Sequence, residues 1–139
     1  MSRSGYTDDC DGWDLVRWRG AMKSAIRGKR GQGFLRELAT AMDAMPEKSL
    51  IAEELEKEGE VCALGSLGNA RGMDMSKIDP EDRDDVAKAF GIPLTLACEI
   101  MYMNDDGPRI ETPEQRWVRI RGWVRKQIKE KPDGCRNDV

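Results

Sequence analysis

The chain has 139 residues, enough for one domain with a substantial core, and 35% of the residues are charged. Its 23 Lys and Arg against 26 Asp and Glu give a net charge of −3, which differs from the uniformly basic composition of generic nucleic-acid-binding proteins. No apolar run approaches the ~18 residues of a membrane-spanning helix, and the polar N-terminus differs from a secretory signal, so we expect a cytoplasmic protein.

Helical periodicity predicts two helices in the first third of the chain. The first runs from about Asp11 to Arg27 and ends at Gly28, with an apolar stripe formed by Leu15, Trp18, Met22, Ala25 and Ile26. A Gly-Lys-Arg-Gly-Gln-Gly connection is predicted next. The second helix then runs from about Gly33 to Met45, and Pro46 ends it.

The middle of the chain predicts shorter elements. Ser49 to Lys57 has the pattern of a short helix that Ser49 could cap. Residues 61–72 are apolar on all sides, which favours a central helix; the alternative is that this segment begins as a strand, giving one very short β element near residues 60–64. Its glycines lack the ending of a phosphate-binding loop and indicate close packing instead: Gly65, Gly68 and Gly72.

Three further helices are predicted from their end signals. The sequence Asp79-Pro80-Glu81-Asp82 predicts a helix start, and that helix ends near Phe90-Gly91. Pro93 opens the next helix, which ends near Asn104-Asp105-Asp106-Gly107; these four residues lack the ligand spacing of a calcium loop. A capping box at Thr112 to Gln115 starts the last helix. Lys131-Pro132 closes it, after an apolar stripe formed by Trp117, Ile120, Val124 and Ile128.

These elements predict an all-α protein, a compact bundle of six to seven short helices. We expect a single helical domain over residues 1–131 and a flexible tail over residues 132–139.

The residues that most often carry catalysis or bind metals are scarce. The chain has no histidine, the most frequent general base near neutral pH, so we expect neither an enzyme nor a cofactor. The four cysteines form no CxxC pair, which argues against zinc; Cys62 and Cys98 stand in apolar contexts and are predicted to be buried thiols: Cys10, Cys62, Cys98 and Cys135. An enzyme that uses carboxylates alone stays open, and a deep pocket with two buried carboxylates would favour it.

Positive charge is concentrated near both ends. Residues 15–36 and 115–129 contain no acid, while residues 37–114 hold 7 Lys and Arg against 19 Asp and Glu. The tryptophans accompany the basic stretches: Trp13, Trp18, Trp117 and Trp123. Cations of one sign next to aromatic side chains are typical of a surface that binds an anionic partner.

Placing the residues at 100° steps separates core from surface. Trp18 and Trp117 fall on the apolar stripes, and Trp123 lies at the edge of its stripe beside Arg119. Partly exposed Trp near Arg is typical of binding hot spots. The candidate binding residues are therefore Trp13, Arg17, Arg19, Lys23, Arg27, Lys29, Arg30, Arg119, Trp123 and Lys126. The alternative is that these cations pair with the acids of the same chain, at residues 53–60 and 82–85.

Several short patterns along residues 1–130 resemble small proteins of bacteriophages and prophages for which no activity is established. They include Val61-Cys-Ala-Leu-Gly, Ala89-Phe-Gly-Ile, Ala97-Cys-Glu-Ile, Asn104-Asp and Thr112-Pro with Arg116-Trp. The resemblance implies a phage-type accessory protein in the cytoplasm of a bacterial host, and it assigns no catalytic or binding residue.

We therefore expect a non-enzymatic phage-type protein that binds a host or phage macromolecule through a basic, Trp-edged helical surface. On this hypothesis a protein partner is favoured over a nucleic acid. One such partner is a nucleic-acid-handling or defence complex, which the protein would inhibit. The alternative is a nucleic-acid-binding module that contacts phosphates through the first helix and a Gly28–Gln32 loop. We expect no membrane partner, and the sequence leaves the oligomeric state open.

Overall fold

The computed structural model describes the backbone of residues 12–129 and the side chains of residues 16–129. Over this range the protein is mainly helical, with six α-helices, one 3-10 turn and one two-stranded antiparallel sheet. This confirms the predicted fold class. The elements are α1 (Gly12–Arg27), α2 (Lys29–Asp43), β1 (Glu56–Lys57), β2 (Glu60–Val61), α3 (Ala63–Ala70), the 3-10 turn (Met75–Lys77), α4 (Arg83–Phe90), α5 (Leu94–Asp105) and α6 (Pro113–Gln127). The predicted tail lies outside the described residues.

Helices α1 and α2 are separated by Gly28 alone, so the predicted connection and start at Gly33 are wrong. Helix α2 begins at Lys29 because the two helices cross closely there. A β-carbon on Gly31 would lie 1.7 Å from the carbonyl oxygen of Ala25, so only glycine fits. Tertiary contact therefore overrides the weak helix propensity of the glycine-rich stretch.

The predicted helix at Ser49 to Lys57 is also wrong, because this segment bonds to a hairpin instead of to itself. The amide of Ile51 donates to the carbonyl of Val61, and the carbonyl of Leu55 accepts from the amide of Cys62. Strand β1 pairs antiparallel with β2 through a turn at Glu58-Gly59, where both residues have positive φ. The predicted short β element near residues 60–64 is confirmed by β2.

Helix α3 is the predicted central helix, and residues 61–68 are all buried. Two of its glycines allow close approach, although the neighbours are not helices. A β-carbon on Gly65 would lie 2.0 Å from the carbonyl oxygen of Leu55, and one on Gly68 would lie 2.4 Å from the sulfur of Met75.

The end signals of the later helices are mostly confirmed. Thr112 and Gln115 form the predicted capping box, with both hydrogen bonds at 3.0 Å. Gly91 ends α4 in the left-handed conformation, with φ of 69°. The start of α4 differs, since Asp82 caps the helix by accepting from the amide of Asp85. The predicted cap, Asp79, accepts from Glu81 in the preceding turn.

The core lies between α2, α3 and α5. Helices α2 and α5 each contact both α1 and α6, so the two basic helices flank the same central pair. The largest buried side chains include Leu35, Leu38, Leu64, Leu67, Phe90, Leu96 and Ile100. Cys62 and Cys98 are buried free thiols as predicted, and burial raises the pKa of Cys98 to about 11.

Asn104 joins the end of α5 to the first half of the chain. Its side chain is 1% exposed; it accepts from the amide of Ala63 at 3.0 Å and donates to the carbonyl of Ile51 at 2.9 Å. The same amide nitrogen donates to Asp105, whose carboxylate also accepts from the amide of Glu53. Asn104 thus serves the fold by satisfying buried backbone groups.

Within residues 12–129, no single helix has the length and apolar character to cross a membrane. Helices α4 and α5 meet those criteria only when taken together, and they are bent by 108° at the break between them.

Candidate functional site

The predicted cations of α1 and of the start of α2 all lie on the surface. Their side chains are exposed, and none has a carboxylate partner among residues 16–129: Arg17, Arg19, Lys23, Arg27, Lys29 and Arg30. The alternative interpretation was that these cations pair with acids of the same chain. The described residues show no such pair for any of the six cations. Trp13 lies in α1, but its side chain falls outside the described ones. Trp18, predicted in the core, is half-buried.

The C-terminal ends of α1 and α6 meet, which brings the two basic stretches together. The side chain of Gln32 on α2 joins these ends, and only 5% of the residue is exposed. Its amide nitrogen donates to the carbonyl of Ile26 at 2.8 Å and to that of Gln127 at 2.9 Å. Its amide oxygen accepts from the amide of Lys129 at 2.7 Å. The two carbonyls are among those that a helix C-terminal end leaves open, and the amide of Lys129 follows directly after the end of α6.

Cationic side chains surround this junction of two helix ends. The ammonium group of Lys129 donates to the carbonyl of Arg27 at 3.0 Å, and the guanidinium of Arg36 donates to the carbonyl of Lys129 at 3.2 Å. Helix C-terminal ends carry partial negative charge, so cations are stabilised there. Part of the positive charge thus has a structural reason. Lys23 and Lys126 are among the exposed cations for which residues 16–129 provide no such bond.

A cleft of about 400 Å³ opens between α1, α5 and the end of α6. We call it the α1–α6 cleft. Its volume is at the lower end of the ~300–1,000 Å³ that is usual for binding pockets. Four of its side chains are cations and one, Glu99, is an acid. The lining residues are Met22, Lys23, Ile26, Arg27, Glu99, Trp123, Lys126, Gln127 and Lys129.

A second cleft of about 410 Å³ lies between the end of α2, the hairpin and α3. Its lining includes the acids Glu47 and Glu60 and no cation. Both acids are exposed, so neither cleft holds two buried carboxylates of the kind that carboxylate catalysis would need. Of these two clefts among the described residues, the α1–α6 cleft is the one that combines positive charge with a tryptophan.

Arg119, one of the predicted binding residues, is bonded within the fold instead. Its guanidinium donates to both carboxylate oxygens of Glu111, at 2.6 and 3.0 Å, and to the carbonyls of Met103 and Asn104. Arg116 adds a second cation 3.4 Å from Glu111, whose side chain is 4% exposed. Arg119 therefore stabilises the fold, because it joins the end of α5 to α6.

The Glu111 network predicts acid sensitivity. Hydrogen bonding to Arg119 and the nearby positive charge hold the pKa of Glu111 below its ordinary value. A lowered folded-state pKa contributes stability above the unfolded value of about 4.5, and this stability is lost as pH falls through the folded-state pKa. We expect Glu111→Gln to cost about 2 kcal/mol at neutral pH.

Urea unfolding at neutral pH and at about pH 3 measures the free energy of unfolding of both proteins. The difference in unfolding free energy between wild type and Glu111→Gln should be smaller at the lower pH. Glu37→Gln is the matched control, because that carboxylate pairs with Arg71 but is 46% exposed, so its effect should be smaller at neutral pH. Equal costs for the two variants would contradict the role given to Glu111.

The structural role of Gln32, which the sequence interpretation placed in a loop, was not predicted. With α2 starting at Lys29, Gln32 falls three residues before Leu35 and six before Leu38, both fully buried. A polar residue on an apolar stripe indicates a buried hydrogen-bonding side chain. This pattern is not visible in the sequence prediction, because the predicted helix begins one residue after Gln32.

The described residues contain no group of three or more Cys, Asp or Glu side chains that could hold a metal ion. Comparison with protein-family models, curated proteins and solved structures gives no match to this chain. What this chain binds must therefore be inferred from the geometry of its two basic helices.

Proposed function

We propose that this chain is a non-enzymatic binding protein that holds an acidic surface of a macromolecular partner. The binding region is the basic surface, defined as the exposed cations of α1, α2 and α6 with the α1–α6 cleft among them: Arg17, Arg19, Lys23, Arg27, Lys29, Arg30, Trp123 and Lys126. The observation that supports this is the meeting of α1 and α6, which makes one patch from two stretches about a hundred residues apart.

A protein partner agrees better with this surface than a nucleic acid does. The Gly28–Gln32 loop expected to contact phosphates is helical from Lys29 onward, and Gln32 is buried. The cleft also offers Met22, Ile26 and Trp123, apolar groups that stabilise protein interfaces but add little to phosphate binding.

The resemblance to phage and prophage proteins adds the context of the proposal. On that basis the protein acts in a bacterial cytoplasm as an accessory factor, and its partner belongs to the host or to the phage. A nucleic-acid-handling or defence complex is the kind of partner that such a factor would inhibit.

A charge-swap experiment tests the proposal. The double variant Lys23→Glu/Lys126→Glu should reduce retention of a protein partner from nuclease-treated host lysate by at least about tenfold, because like charges then face each other. Lys77→Glu/Lys88→Glu is the matched control, since it changes the net charge equally at exposed residues of the 3-10 turn and α4 that do not line the α1–α6 cleft. The control should bind as wild type does.

Two outcomes would overturn the proposal. One is retention that neither double variant changes. The other is retention that nuclease treatment removes and that weakens steeply with salt, with a slope of roughly −0.9 per phosphate contact in a log–log plot, because that dependence is characteristic of duplex DNA binding.

A further inference from the structure

The α1–α6 cleft has three apolar side chains between two pairs of cations. Met22 and Trp123 are half-buried and Ile26 is 6% exposed, and all three pack against the core. Helix α1 contributes Lys23 and Arg27 to the same cleft, while Lys126 of α6 and Lys129, two residues beyond the end of α6, also line it. An apolar group entering the cleft would therefore have positive charge available from both helices.

The helix ends that border the cleft are joined by hydrogen bonds that exist without a ligand. Gln32 bonds to the ends of both helices, and the ammonium group of Lys129 bonds across to the end of α1. A ligand would not need to order these two helix ends, which lowers the entropic cost of binding.

We propose that the α1–α6 cleft binds an acidic segment of a partner protein that inserts one large aliphatic side chain beside Met22 and Trp123. Carboxylates on either side of that side chain pair with the cations of α1 and of α6. This inference rests on the proposed function and names the chemistry that the partner must present.

Charge and lining both favour this occupant. Four cations against the single acid Glu99 leave the lining strongly positive, so an acidic ligand is attracted. The half-buried side chain of Met22 still has apolar surface that another aliphatic group would cover. A nucleic acid would contact the same cations, yet it has no aliphatic side chain to place beside Met22, and it would bring phosphates toward Glu99.

Synthetic peptides test the proposal directly. The first probe is acetyl-Glu-Glu-Leu-Glu-Glu-amide, the second has serine in place of leucine, and the third is an oligothymidylate. The readout is the ¹³C resonance of the Met22 methyl group, assigned by its loss in Met22→Leu. We expect the leucine peptide to shift this resonance and to bind about tenfold more tightly than the serine peptide, which corresponds to about 1.4 kcal/mol.

Variants separate the cleft from the rest of the basic surface. Lys126→Glu should weaken binding of the leucine peptide by about tenfold, while Lys77→Glu should leave it unchanged. Trp123→Ser should remove the preference for leucine over serine, and the circular dichroism and melting temperature of each variant show whether it remains folded.

Three results would overturn the inference: equal affinity for the two peptides, no binding of either, or a Met22 shift caused by the oligothymidylate alone. The proposed function fails separately. If the Lys23→Glu/Lys126→Glu protein loses its lysate partner while Trp123→Ser keeps it, the basic surface binds the partner and the cleft does not receive an aliphatic side chain.

Discussion

Replacing Gly31 with alanine is expected to destabilise the protein by at least about 3 kcal/mol, whereas the same change two residues later should stabilise it. A β-carbon on Gly31 would lie 1.7 Å from the carbonyl oxygen and 2.8 Å from the carbonyl carbon of Ala25. These are backbone atoms of α1, so the clash is relieved only by moving two helices apart. A β-carbon on Gly33 would meet nothing within 4 Å, and alanine there should gain about 0.5–1 kcal/mol in helix propensity.

Thermal and urea unfolding of both variants measure this difference. The melting temperature of Gly31→Ala should fall by about 10 °C, and that of Gly33→Ala should rise by a few degrees. Both substitutions add one methyl group to the same helix, so their opposite signs isolate the helix crossing from propensity. A loss below about 1 kcal/mol at Gly31 would mean that α1 and α2 separate easily.

Substitution of Gln32 should be comparably severe, because one buried side chain satisfies three backbone groups. Gln32→Leu leaves the carbonyls of Ile26 and Gln127 and the amide of Lys129 without their partner, at about 1 kcal/mol for each. Gln32→Glu keeps the shape but places a carboxylate against two carbonyl oxygens. We expect each variant to cost about 3 kcal/mol of unfolding free energy.

The same variants link the fold to the proposed function. Because Gln32 holds the ends of α1 and α6 together, both variants should also weaken partner binding under conditions where they remain folded. Asn69→Asp is the matched control for Gln32→Glu, since it makes the same amide-to-carboxylate change at an exposed residue and should cost less than about 0.5 kcal/mol. A Gln32 variant that is destabilised but binds normally would show that the helix junction is not needed for binding.

Predictions from local patterns were confirmed where the structural feature depends on contacts between residues close in sequence. The capping box at Thr112 and Gln115, the left-handed Gly91 and the helix after Pro93 all depend on residues within one turn. The predictions that failed concern segments whose bonds are distant. Ile51 and Leu55 bond to the hairpin instead of to their own turn, and Gly31 is helical because α1 crosses it.

Helices α1 and α6 show this division most clearly, because they share a local sequence. Val16-Arg17-Trp18-Arg19-Gly20 and Val118-Arg119-Ile120-Arg121-Gly122 have the same pattern, and each valine is more than 60% exposed. In α6 both arginines serve the fold, since Arg119 pairs with Glu111 and Arg121 pairs with Asp43, at 2.8 Å across 78 residues of sequence. In α1 the corresponding arginines have no carboxylate partner among residues 16–129.

The sequence by itself determined the mainly helical fold, the helix ends that are capped locally and the concentration of cations near the two ends of the chain. Only the tertiary structure decided which of these cations lack a carboxylate partner among residues 16–129 and that residues of the two basic stretches line one cleft. The physical reason is that a helix pattern depends on neighbours within four residues, whereas an ion pair or a helix crossing depends on groups that the fold brings together from distant parts of the chain.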